Sequence, residues 1–136
     1  MSDVAGGRPG PEAARRLIFQ DLDLIDVVQA ARAAYNWSDD ESAEAELEYR
    51  RFLWLSYQHD GPAGVLQSDA DKLWHHHILD TQRYAADCDR MFGRYLHHTP
   101  AHRLTEEERR EVHRRGLERY EREYNRPLPR PTLNCA

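Results

Sequence analysis

Histidine moves protons and holds metals near neutral pH, because its ring titrates there and offers two nitrogens. The chain has eight histidines, and five of them fall between His75 and His98. On a helix advancing by about 100° per residue, the stretch around them sorts into faces. Ala70, Leu73, Trp74, Ile78, Ala85, Met91 and Phe92 share one apolar arc. His77, Thr81, Tyr84 and Cys88 fall inside that arc and stack as a polar line within an apolar face. A polar ladder aimed at a core must be hydrogen-bonded or it destabilises the fold. Asp69, Lys72, His76, Asp80, Arg83, Asp87 and Arg90 form a strip of mixed charge, read as a solvated face, and His75 lies roughly opposite His77. The pair His97-His98 follows just past the expected helix end, where loop geometry suits functional residues, with His102 beyond it.

Four kinds of chemistry fit these residues. In the structural one, His77, Thr81 and Tyr84 satisfy each other, and His97-His98 cap helix carbonyls. In general acid–base catalysis, His77 or His75 is the acid or base, Asp80 or Asp87 orients a histidine, Tyr84 polarises, and His97 or His98 completes the relay. Trp74, Phe92 and Tyr95 would wall an apolar pocket, with Thr81 and Cys88 on the same line. A metal site would place zinc or another divalent metal on His75, His77, His97 and His98, with Asp80 or Cys88. Within the expected helix no two histidines stand at i, i+4, and His76 with Asp80 has that spacing on the charged strip, so the tertiary fold would have to gather the ligands. A nucleophilic cysteine is the weakest reading: Cys88 is mid-helix on an apolar face, and Cys135 is next to the chain end.

The leading expectation is a cofactor-independent enzyme of lyase or cyclase type, catalysing dehydration, conjugate addition or cyclisation of an organic small molecule. The alternatives are a divalent-metal-binding protein and a non-enzymatic helical interaction module that docks through exposed aromatics and its proline-rich tail.

Composition narrows the field. With 136 residues, 40% hydrophobic and 32% charged, the chain suits one domain with its own core. A formal net charge of −5 leaves no basic excess for phosphate backbones, so no nucleic acid partner is expected. No apolar run approaches the ~20 residues needed to span a bilayer. The amino-terminal stretch lacks an apolar signal region, and two cysteines form no disulfide framework, so a cytoplasmic protein is expected. Self-association into a homo-oligomer stays open.

The elements that must position these groups read as an all-α bundle of about four helices. Residues 1–11, rich in Gly and Pro, read as a disordered tail, and 12–125 as the helical domain. The first helix runs from about Glu12 to Tyr35 on apolar steps of three and four. Ser38 with Glu41 is a capping box that starts the second, which ends near Gln58 before Gly61-Pro62. The third, central and His-rich, spans about 68–93. Thr105 with Glu108 is another capping box, opening a fourth helix to about Asn125. Residues 126–136, with Pro127, Pro129 and Pro131, read as extended chain, trailing or laid across the body. No strand is expected.

The run Asp71-Lys72-Leu73-Trp74-His75-His76-His77-Ile78-Leu79-Asp80-Thr81, then Tyr84, Asp87-Cys88, Phe92-Gly93 and His97-His98, resembles the glycine-rich domain-containing protein-like family. Tyr49-Arg50-Arg51-Phe52-Leu53 upstream is similar too, with a fainter echo at Leu22-Asp23-Leu24. The resemblance marks Trp74, His75, His77, Tyr84, Asp87, Cys88, His97 and His98 as pattern positions and puts His76 in a variable place. It implies no catalytic role for any of them. The chain's seven glycines are scattered or lie near its start, so it has no glycine-rich region.

Overall fold

The structure, a computed structural model, describes residues 7–132. Residues 1–6 and 133–136 lie outside the described residues, and with them most of the expected amino-terminal tail and Cys135. Six α-helices make up the fold where about four were expected: α1 (Pro11–Arg16), α2 (Ile25–Tyr35), α3 (Asp39–His59), α4 (Ser68–Leu79), α5 (Thr81–Phe92) and α6 (Glu106–Tyr124). Among the described residues there is no strand, and no helix is long and apolar enough to cross a membrane.

The two extra helices come from two breaks. The expected first helix ends in a π-turn, Leu17–Asp21, and restarts at Ile25. Arg50 of α3 fixes this end, donating from Nη1 to the carbonyl of Ile18 (2.7 Å) and from Nη2 to that of Leu22 (2.9 Å). The Asp23 carboxylate then accepts from the Ile25 amide at 3.0 Å, satisfying a free N–H of the next helix.

The second break matters more. The expected continuous helix over 68–93 is interrupted at Asp80, which ends α4 and begins α5. In one straight helix His77 and Asp87 would stand about 15 Å apart along the axis. The break folds α5 back on α4, so His77 Nε2 and Asp87 Oδ2 meet at 2.9 Å. Neither Gly nor Pro marks the junction. Tertiary pairing overrides local propensity here. Thr81 and Leu79 turn outward at the break, Leu79 with 76% of its surface exposed.

α3, rather than the His-rich segment, is the central element: it packs against α1, α2, α4 and α6. Its stretch Phe52, Leu53, Trp54, Leu55, Ser56 and Tyr57 is buried on every side, the mark of a helix surrounded by others. Both capping boxes form as expected, Ser38 with Glu41 and Thr105 with Glu108. α6 approaches the 61–66 loop closely through two glycines. A Cβ on Gly116 would stand 2.5 Å from Val65 Cγ1, and one on Gly64, whose φ is +107°, 2.8 Å from the Val112 carbonyl.

The two ends of the described chain are tied down. Arg8 donates to the Asp60 carboxylate at 2.8 Å, and the Tyr57 hydroxyl donates to the Pro9 carbonyl. The proline-rich segment lies across the body, with the Ser68 amide donating to the Arg130 carbonyl and the Thr132 amide to that of Leu66, each at 2.9 Å, while Leu128 is buried.

Candidate functional site

α3, α4 and α5 converge on one buried polar network. A carboxylate only accepts, so the proton between His77 and Asp87 sits on His77 Nε2. His77 Nδ1 is then free to accept from the Tyr49 hydroxyl, 2.7 Å away. Trp74 Nε1–H donates to the Tyr84 hydroxyl at 2.9 Å, and that hydroxyl donates to the Leu96 carbonyl at 2.6 Å. Tyr49, Trp74, His77, Tyr84 and Cys88 have no exposed surface. Each polar atom of this chain has a partner, which is what burial in a low-dielectric interior demands.

Burial, with lesser contributions from Tyr84, Cys88 and Asp87, pushes the Tyr49 phenol well above its usual range. Burial likewise raises the Tyr84 phenol and the Cys88 thiol. Both phenols are neutral at physiological pH, and Cys88 is a thiol rather than a thiolate, so it lacks the character of a nucleophile.

A second group sits at the outer edge of α4. His75 Nε2 and His98 Nε2 lie 3.2 Å apart, Asp71 Oδ2 is 3.6 Å from His75 Nδ1, and Asp71 Oδ1 is 4.0 Å from His98 Nε2. One ligand atom from each of the three falls within 4.8 Å of the others. His75 is exposed while Asp71 and His98 are half-buried. The His98 ring rests on Trp74, with ring centres 4.5 Å apart, so the buried network forms the floor under this group. Burial first, and then the neighbouring His75, hold the His98 imidazole below its usual pKa.

Of the residues the sequence singled out, the fold therefore makes two sets. His77, Tyr84 and Cys88 are in the buried network with Trp74, and Phe92 is buried near them; His75 and His98 are in the outer group. Thr81 leaves the expected polar line, because the break at Asp80 turns it to solvent. Asp80 is exposed at that junction. His97 is exposed and tilts against Tyr95, which keeps 40% of its surface and meets Tyr84 edge-on. The four histidines considered as one ligand set do not converge: His77 has both nitrogens engaged inside, and His97 points elsewhere. Asp87, assigned to a solvated strip, is buried against His77, again because of the break.

Two members escaped the sequence reading. Asp71 precedes His75 by four residues, the spacing that puts two side chains on one helix face, so it was findable. Tyr49 was not, since only the packing of α3 on α4 brings it to His77.

The fold is all-helical, with one sealed histidine network and one open histidine–carboxylate group. A family model described as UCP032817-like matches residues 20–123, well over half of the chain, and the chain belongs to that family. This match corrects the resemblance to the glycine-rich domain-containing protein-like family. No curated protein and no solved structure matches the chain.

Proposed function

We propose that the protein binds one divalent metal ion, zinc or ferrous iron, through Asp71, His75 and His98. The ion's remaining coordination positions would take a small-molecule ligand. The observation that carries this reading is the 3.2 Å separation of the two imidazole Nε2 atoms beside a carboxylate. Two nitrogens bound at about 2.0–2.1 Å to one tetrahedral ion stand roughly 3.3 Å apart, so the pair already has the right spacing. Asp71 stands wider, 4.0 Å from His98 Nε2, and would move in on the ion. Two histidines and one carboxylate are a ligand set of catalytic zinc and of non-haem iron, both of which keep positions open. The exposure of His75 supports access from solvent. Such an ion polarises a bound oxygen or lowers the pKa of a bound water.

Elemental analysis of untagged protein tests this. Near-stoichiometric metal, lost in His98→Ala, is the expected result. A folded protein that carries no metal and takes up none would overturn it, and would return His75 and His98 to cofactor-free chemistry on a small molecule.

A further inference from the structure

On the far side of α3, a shallow cleft of about 320 Å³ runs between its carboxyl-terminal turn and α6. Leu55, Gln58, His59, Arg119, Arg122 and Glu123 line it. α6 puts Arg115, Arg119 and Arg122 on one stripe at helical spacing. The Gly116–Val65 and Gly64–Val112 approaches set the register of that helix against the loop, and Arg119 is anchored by donating to the Ala63 carbonyl at 2.9 Å.

The charges around the cleft do not cancel. The Glu123 carboxylate accepts from Trp54 Nε1 and Gln58 Nε2, and its charge is offset by Arg15 4.0 Å away, which leaves Arg119 and Arg122 in excess. Asp60, next to His59, is taken by Arg8 and Arg94. Arg115 is paired with Glu111. Arg119 has a carbonyl but no carboxylate, and among the described residues Arg122 and His59 have no hydrogen-bond or ion-pair partner. The mutual repulsion is felt by the groups themselves. Burial and then Arg115 and Arg122 hold Arg119 below its usual value, and burial and then Arg119 do the same to His59.

We propose that this cleft is a binding site for a small molecule bearing a phosphate group, held by Arg119, Arg122 and His59. Two guanidinium groups match a dianion, where a single carboxylate would leave one of them uncompensated; the planar fork of each suits phosphate oxygens. Gln58, with one N–H on Glu123, has a second to offer, and Leu55 gives an apolar floor to the rest of the ligand. The site stands apart from Asp71, His75 and His98 and does not depend on a metal there.

The test is calorimetric titration of the full-length protein with inorganic phosphate, alongside succinate and chloride at matched ionic strength. Saturable phosphate binding is expected, weakened about tenfold in Arg122→Gln, whose side chain is exposed and holds nothing else in place. Arg122→Lys should keep part of it, and His98→Ala all of it. Absence of saturable binding, equal binding by Arg122→Gln, preference for succinate over phosphate, or loss of binding in His98→Ala would each overturn the proposal.

Discussion

His75 and His77 are two residues apart on α4 and have opposite surroundings. His77 points inward, has no exposed surface, and spends both nitrogens on Tyr49 and Asp87. His75 points outward, is exposed, and faces a second imidazole and a carboxylate. The same residue type thus holds three helices together in one place and presents ligand atoms in the other. What separates the two roles is access: the contacts of His75 with His98 and Asp71 are open to solvent, where an incoming ion can replace them, while those of His77 are sealed. A buried polar group with every partner filled contributes to the uniqueness of the fold, whereas ligand binding needs lone pairs that an incoming ion can reach.

The largest effect should follow from breaking the buried side. His77→Ala leaves the Tyr49 hydroxyl and the Asp87 carboxylate without a partner in the interior, and should cost about 3–5 kcal/mol in urea unfolding. A loss under 1 kcal/mol would mean that the network is not what holds α5 against α4. Tyr84→Phe removes one hydroxyl and orphans the Trp74 N–H and the Leu96 carbonyl, for a smaller loss of about 1–3 kcal/mol.

The phenols sharpen the comparison through pH. Tyr120, buried against Glu48, has its pKa pushed up to about 12, by burial first and the hydrogen bond to Glu48 second. Tyr49 and Tyr84 are raised as well. A raised folded-state pKa means that the folded protein holds the proton more tightly than the unfolded chain, whose tyrosines titrate near ~10. This stability is fully present below pH ~10 and drains as pH rises through 12. Melting temperature should fall across that window, with a shallower fall in Tyr120→Phe. An unchanged melting temperature up to pH 12 would contradict it. At the small end, His75→Ala should alter stability by no more than about 0.5 kcal/mol, since it is exposed and no buried group depends on it.

The sequence carried the helical class and both capping boxes, since each is a local pattern. Ser38 with Glu41 and Thr105 with Glu108 need only neighbouring residues to form. The breaks at Leu22 and Asp80 were hidden because long-range bonds cause them: Arg50 reaching the carbonyls of Ile18 and Leu22, and His77 reaching Asp87. The second break displaces Thr81 and Asp87 together from their places on a straight wheel, because the chain turns a corner at Asp80. The histidine cluster was visible, yet its division into a sealed and an open half was not. That division rests on Tyr49 arriving from α3 and on the loop that carries His98 folding over Trp74.

The central claim, that the open group binds metal and the sealed one does not, is met most directly by calorimetric titration of zinc into metal-free protein and its His75→Ala and His97→Ala variants. One zinc per chain in the wild type and in His97→Ala, with binding lost in His75→Ala, is the predicted result. Undiminished binding in His75→Ala, or no binding in the wild type, would contradict it.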